Sequence, residues 1–222
     1  MTERPILFSG PMVRAILEGR KTQTRRVVNP QPELIPADVP KAPGDNGWWW
    51  PAKAVRSMVQ TRDMAAFCPY GIPGDRLWVR ETWSLMRIVN RNTGIERNQV
   101  VYRASLPDGY DMFGIIGHKW RPSIHLKRSD SRILLEITAV RCERLQDISE
   151  ADAMAEGVTT IWPDGPRQDK GPNHYTIEVG YVSYNAPTAA GVYSMLWDQI
   201  NGDGSWAANP WVWVIEFKRV TQ

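Results

Sequence analysis

The feature that most constrains this chain is a switch from a short amphipathic helix to a cation-rich segment at residues 19–26. The preceding run, Met12–Glu18, carries its apolar side chains at helical spacing, and the glycine that follows predicts that the helix ends there. The next eight residues contain four cations, two hydroxyls and one amide. Extended backbone from Thr24 onward would place Thr24 and Arg26 on one face of a strand, with Lys21 close by on the turn.

Two interpretations of this polar octet follow from its residues. The first is a solvated basic patch after a surface helix. The second is a binding or catalytic site around Lys21, because neighbouring arginines disfavour its ammonium form and leave the amine usable as a base or nucleophile. The hydroxyl of Thr24 is near enough to be activated by such an amine. The residues alone leave both interpretations open.

A second informative strand is predicted at Arg76–Trp83, directly after a Pro-Gly-Asp turn. Its alternation places Leu77, Val79 and Glu81 on one face. A carboxylate on an apolar face is costly unless it is paired or functional, and desolvation would raise its pKa towards the range of a general acid. The alternative is a glutamate at the strand end that reaches solvent or pairs with an arginine.

A third segment combines an aromatic ring, a cation, a hydroxyl and an imidazole within six residues, at Trp120, Arg121, Ser123 and His125. Such a set can line a nucleobase pocket by stacking and by hydrogen bonds to base edges. The alternative is a strand broken by proline, with His125 buried in the core.

Length and composition predict one domain over 1–222, because 222 residues with 42% hydrophobic and 23% charged residues are ordinary for a globular chain. Two stretches rich in proline, glycine and aromatic residues, 29–66 and 158–187, are predicted to be loop-rich insertions. Short strands flanked by helices favour an α+β fold around a small β-barrel. The net charge of +3 permits a nucleic-acid partner without requiring one.

Two later segments have clear local signals. Ser149 is predicted to cap a helix that runs through Glu156, with Asp152 as its capping-box partner and Gly157 at its end. In the last strand, alternation places four apolar side chains on one face that we expect to pack in the core: Trp211, Trp213, Ile215 and Phe217.

Several function classes are disfavoured by missing patterns. Cys68 and Cys142 lie far apart and the three histidines are dispersed, so we expect free thiols, no metal site and no cofactor. Phosphate-cradling, dinucleotide, zinc-protease and α/β-hydrolase motifs are not found. There is no apolar signal core and no run of about 18 apolar residues, which predicts a cytoplasmic protein without a membrane partner.

The octet pattern Gly19-x-Lys21-x-x-Thr24-x-Arg26, together with the turn and strand at 73–83, resembles the signature of the ASCH family, a branch of the PUA-like β-barrels. The segment 120–125 and the tryptophan-rich end are similar to ASCH proteins carried by phages and prophages. The resemblance implies a small PUA-like β-barrel with flanking helices.

Some small ASCH proteins are amidohydrolases that remove the acetyl group from N4-acetylcytidine. The resemblance therefore implies an amidohydrolase acting on N4-acylated cytidine or a related modified nucleoside, with Lys21, Thr24 and Glu81 as the catalytic group. The alternative is a non-catalytic module that binds RNA, single-stranded nucleic acid or modified bases, or an ASCH-type ribonuclease. The expected substrate contacts are Arg26, Trp83, Trp120, Arg121, Ser123 and His125.

Overall fold

The computed structural model describes seven parts of the chain: residues 1–34, 48–52, 57–89, 96–106, 119–160, 175–179 and 182–220. Within them the α-helices are α1 (Gly10–Leu17), α2 (Glu150–Ala155) and α3 (Ala189–Asn201). The strands are β1 (Glu3–Leu7), β2 (Gln23–Val27), β3 (Glu33–Leu34), β4 (Trp48–Ala52), β5 (Ser57–Gln60), β6 (Arg76–Arg80), β7 (Trp83–Val89), β8 (Glu96–Tyr102), β9 (Leu134–Arg144), β10 (Thr159–Thr160), β11 (Tyr175–Val179), β12 (Val182–Ala186) and β13 (Trp211–Val220).

The main sheet has five strands in the order β1-β6-β9-β13-β2. The β1–β6 pair is parallel, and the other three pairs are antiparallel. The two edge strands share no strand pairing in the described residues, so the sheet is open there. A side chain links the edges instead, because the Arg26 Nη2 donates to the Leu7 carbonyl at 2.8 Å. The predicted α+β class is confirmed, and the closed PUA-like barrel stays a prediction.

Both faces of the main sheet are covered by apolar side chains. Strand β13 shows this most clearly, since its alternate residues belong to two different clusters. Val212 and Val214 pack with helix α3 on one face. The other face of β13 packs with β1 and α1, and the sequence pattern predicted its members correctly: Trp211, Trp213, Ile215 and Phe217.

Smaller antiparallel units flank the main sheet. Strands β3, β4 and β5 form one sheet within the predicted insertion 29–66, and β10, β11 and β12 form another that overlaps 158–187. Strands β7 and β8 form a hairpin. The described parts of both stretches are therefore more ordered than the expected loops, and Trp48 anchors the first one with its ring 5.6 Å from that of Trp211.

Three expectations about chemistry can be compared with the described residues. Both cysteines are free thiols. Within the described ranges, no group of three or more His, Cys, Asp or Glu side chains is arranged to hold a metal ion. None of the described helices has the length and apolar character needed to cross a membrane.

Candidate functional site

The turn between α1 and β2 buries Lys21. The helix ends at Leu17, and Gly19 adopts a φ of 76°, which L-residues with side chains rarely occupy. The chain then folds back on the helix, because the Lys21 backbone N–H donates to the Ala15 carbonyl at 3.0 Å. The Lys21 side chain ends in the interior, and only 2% of the residue is exposed.

The end of helix α2 brings a carboxylate to this lysine. The helix starts with a capping box between Ser149 and Asp152, as its sequence predicted, and Glu156 is its C-cap. Gly157 follows with a φ of 108° and lies so close to the α1–β2 turn that an added Cβ would stand 3.7 Å from the Cβ of Lys21. The Lys21 Nζ donates to the Glu156 Oε2 at 2.6 Å and to the Glu156 carbonyl at 2.9 Å.

A second buried cation shares the same carboxylate. The Arg25 Nη1 lies 3.3 Å from the Glu156 Oε1, and its Nη2 donates to Glu143 at 2.5 Å. Glu156 therefore divides its two oxygens between Lys21 and Arg25. The Tyr193 hydroxyl, from α3, also interacts with Glu156. We call this group the Lys21 cluster, and its members are Lys21, Arg25, Glu143, Asp152, Glu156 and Tyr193.

Burial shifts the protonation of this cluster. It lowers the pKa of Lys21, although the Glu156 carboxylate offsets part of the effect, and the charges of Arg26 and Arg25 add a smaller lowering. The direction agrees with the sequence-based expectation, but the main cause is desolvation rather than neighbouring arginines. Burial and the Glu156 charge raise the pKa of Tyr193 well above its usual value. Burial thus works against the charged form of both groups.

Two cavities border the cluster, and Met12 lines both of them and a third cavity. The Thr24 cavity, about 60 Å³, is bordered by Thr24, Glu156 and Trp197. The Arg20 cavity, about 270 Å³, lies beside Glu156 and Gly157. The Arg80 cavity, about 410 Å³, is lined by Arg26 and Arg80. Glu156 borders two of them, whereas Lys21 lies behind Glu156 and lines none of the three.

Two buried donors beside the Thr24 cavity have no hydrogen-bond partner within the described residues. They are the Trp197 Nε1 and the Arg25 Nε, and both residues line that cavity. An unpaired buried N–H costs about 1–3 kcal/mol, which an acceptor oxygen within hydrogen-bond distance of either atom would recover. The cavity therefore suits a small group that carries an oxygen.

Glu81 is held in a different arrangement from the one the resemblance implied. It is 1% exposed, and its two oxygens accept from the Arg132 Nε at 2.8 Å and Nη2 at 2.9 Å. Arg132 also donates to Ser105 at 2.6 Å and lies over the Tyr102 ring at 4.1 Å. The structure thus joins Lys21 to Glu156 and Glu81 to Arg132, which matches the arginine-paired alternative for Glu81.

The other predicted contact residues gather near the β7–β8 hairpin. Trp83 and Arg121 exchange backbone hydrogen bonds, and the guanidinium of Arg121 lies 4.9 Å from the Trp83 ring. Trp120, Arg121 and His125 line a separate cavity of about 750 Å³, the hairpin cavity, and Ser123 lies in the turn beside it. His125 is exposed, so the alternative of a core histidine is wrong.

Among the members of the Lys21 cluster, sequence reasoning assigned only Lys21 to a site. It missed Arg25, Glu143, Asp152, Glu156 and Tyr193, together with Trp197 of the Thr24 cavity. The capping box and the following glycine do predict that Glu156 ends a helix, so a signal for its position existed. No local pattern indicates that this helix end meets Lys21.

No family model, curated protein or solved structure matches this chain. The ASCH resemblance therefore rests on its motif residues, and the chemistry of the site is inferred from its own contacts.

Proposed function

We propose that this protein is an amidohydrolase that removes a short acyl group from N4-acylated cytidine or a related modified nucleoside. Its reacting group would be Lys21, Thr24 and Glu156. The observation that carries the proposal is the buried Lys21–Glu156 pair, with 2.6 Å between Nζ and Oε2, whose carboxylate borders a small cavity that Thr24 also lines.

Cavity sizes support a short acyl group. The Thr24 cavity of about 60 Å³ has roughly the space of two waters, which suits a two-carbon acyl group. The adjoining Arg80 cavity of about 410 Å³ is within the range of small-molecule sites and suits a pyrimidine with its sugar. The two cavities are neighbours, because Met12, Arg26 and Ile200 line both of them.

Amide hydrolysis needs a base, an oxyanion site and an acid for the leaving amine. The Lys21–Glu156 pair takes a proton from the Thr24 hydroxyl or a water, whose oxygen then attacks the acyl carbon. The oxyanion accepts hydrogen bonds from the unpartnered Trp197 Nε1 and Arg25 Nε. The pair returns the proton to N4 as the carbon–nitrogen bond breaks, releasing cytidine. Water then hydrolyses the acyl ester where Thr24 was the nucleophile.

This proposal replaces Glu81 by Glu156 in the reacting group. Glu81 is held by two nitrogens of one guanidinium and lines none of the four cavities described above. Glu156 instead gives one oxygen to each of two cations and borders two cavities.

The test is an assay of the purified chain on N4-acetylcytidine and longer N4-acylated cytidines, with cytidine release followed by chromatography. We expect turnover in the wild type, falling with acyl length, and none in Lys21→Ala. Absence of turnover on every N4-acylated cytidine by folded wild-type protein would overturn the proposal. Accumulation of an acylated Thr24 peptide in quenched reactions identifies Thr24 as the nucleophile, and its absence assigns the attack to water.

A second candidate function, binding of RNA or single-stranded nucleic acid without catalysis, is favoured by the hairpin cavity. Lys119, Trp120, Arg121 and His125 line it, and no carboxylate does among the described residues. Cations interleaved with an aromatic ring suit a phosphate backbone with stacked bases. Binding of a single-stranded oligonucleotide that weakens steeply with salt and is reduced in Trp120→Ala would support this function. Binding unaffected by that change would remove it.

A further inference from the structure

The Arg80 cavity lies where the two edge strands of the main sheet approach each other. Arg26 comes from β2, and its guanidinium reaches the Leu7 carbonyl at the end of β1 at 2.8 Å. Leu7 is the register partner of Arg80 in the parallel β1–β6 pair. Arg26, from one edge strand, and Arg80, from the strand next to the other edge, therefore line one cavity of about 410 Å³.

Neither guanidinium has a carboxylate partner in the part of the chain that the structure describes. Arg26 donates to the backbone carbonyls of Arg25, at 3.3 Å, and Leu7. Arg80 lies over the Trp78 ring at 4.6 Å, and its buried Nε has no hydrogen-bond partner there. By contrast, Arg132 is paired with a carboxylate.

Two guanidiniums that lack a carboxylate partner among the described residues favour an anion at this cavity. Arginine binds phosphate well, because its planar fork matches the phosphate oxygens and forms charge-assisted hydrogen bonds. No carboxylate lines the Arg80 cavity among the described residues that would repel such a group. Its wall also includes Tyr70, Leu7 and Ile200, the last two 45% and 53% exposed, which offers apolar surface for a base and sugar.

We infer that Arg26 and Arg80 form a phosphate site, so that a nucleotide, either free or as a unit of a strand, binds more tightly than the free nucleoside. The identity of the base rests on the proposed function, whereas the phosphate site rests on the two arginines. Arg26 also borders the Thr24 cavity, so the phosphate site and the acyl site share this side chain.

The experiment is calorimetric binding of cytidine, cytidine 5′-monophosphate and a short single-stranded oligocytidylate at constant ionic strength. None of these probes carries an acyl group, so the result is independent of turnover. We expect cytidine 5′-monophosphate to bind about tenfold more tightly than cytidine, as expected for charge-assisted hydrogen bonds to phosphate. In Arg80→Gln this ratio falls to about one. Arg80→Lys should keep part of the preference for the monophosphate, because lysine keeps the positive charge but lacks the planar guanidinium.

Arg87→Gln is the matched control, because it removes the same charge from the β7–β8 hairpin, and it is expected to keep the wild-type ratio. Tighter binding of the oligocytidylate with the same dependence on Arg80 identifies a strand phosphate, and tighter binding of the monophosphate identifies a free nucleotide. Three results would overturn the inference. They are equal affinities for cytidine and its monophosphate, no binding of either phosphate-bearing probe, and an unchanged affinity ratio in folded Arg80→Gln. If the protein does not deacylate N4-acylated cytidines but still binds cytidine 5′-monophosphate more tightly than cytidine, the proposed function is overturned and the phosphate site stands.

Discussion

Glu156 and Glu81 are both buried carboxylates that contact an arginine, but they differ in what remains available to a ligand. Glu81 gives both oxygens to one guanidinium, that of Arg132, in a closed bidentate pair. Glu156 gives one oxygen to Lys21 and the other to Arg25, and it borders two cavities. Burial of a carboxylate is therefore a weak indicator of function. The number and geometry of its partners, and its access to a cavity, are more informative.

The two carboxylates also differ in what their buried pairs contribute to the protein. A buried bidentate pair adds little net stability, because desolvation offsets its attraction, yet removal of one partner leaves an uncompensated charge. The Lys21 cluster holds a buried lysine whose pKa is lowered, so its proton is more easily transferred. We expect changes at Arg132 to affect stability, and changes at Glu156 to affect turnover as well as stability, because Glu156 pairs with two buried cations.

The largest effect is expected from Glu156→Gln, which preserves the shape of the side chain and removes its charge. Under the proposed function, kcat for N4-acetylcytidine falls about 10³-fold, the size typical of losing a general acid or base. Glu81→Gln, the matched change in the other region, is expected to lower kcat less than tenfold. Steady-state kinetics on folded protein, verified by circular dichroism, measures both. If Glu81→Gln loses turnover and Glu156→Gln does not, the catalytic carboxylate is Glu81, as the sequence resemblance implied.

The next effect is on stability. Arg132→Met leaves the Glu81 carboxylate buried without its partner, and we expect a loss of about 2 kcal/mol in the free energy of unfolding. The estimate is below the usual value for a fully buried pair because 27% of the Arg132 side chain is exposed. Denaturant titration measures it. Combining this change with Glu81→Gln should restore part of the loss, since the orphaned charge is gone. A loss that the second change does not reduce would contradict this role for the pair.

A smaller effect is expected in the pH dependence of stability. The pKa of Lys21 is lower in the folded chain than its ordinary value of 10.5, so the unfolded state binds more protons between these values. Within that window, the unfolding free energy of the wild type minus that of Lys21→Met should rise with pH, by at most about 1.4 kcal/mol per pH unit. Burial also raises the pKa of Cys68 to about 11 and that of Cys142 to about 12, which lowers the alkaline stability of the wild type and of Lys21→Met alike. Subtracting one unfolding free energy from the other removes this shared effect. A difference that is flat with pH would show that Lys21 keeps its ordinary pKa.

The smallest effect is expected at the rim of the Lys21 cluster. Burial alone would raise the pKa of Asp152, but the Ser149 hydrogen bond and the charges of Arg141 and Arg25 hold it below 3.8. Such a group contributes stability that is fully present above its unfolded pKa and is lost as pH falls through the folded pKa. Wild type should therefore lose more stability than Asp152→Asn between pH 5 and pH 2, as measured by urea titration. Equal losses would indicate that the carboxylate of Asp152 is unperturbed.

The sequence by itself determined the local features of this protein. The helix that ends before Gly19, the capping box at Ser149 and the alternating face of β13 each depend on residues within a few positions of one another. Their signals are periodicity, capping and glycine conformation, which act over one or two turns. The same signals predicted that Lys21 and Thr24 lie next to each other, and both are buried.

Only the tertiary structure decided which carboxylate meets Lys21. Glu156 lies 135 residues further along the chain, and it arrives because the Thr22 N–H donates to the Ala155 carbonyl at 2.9 Å and holds the end of α2 on the α1–β2 turn. Glu81 is much nearer in sequence, but it lies just past the end of β6, where it meets Arg132. Local patterns specify the face on which a side chain lies, whereas its partner depends on the order of strands and on helix packing across the whole chain.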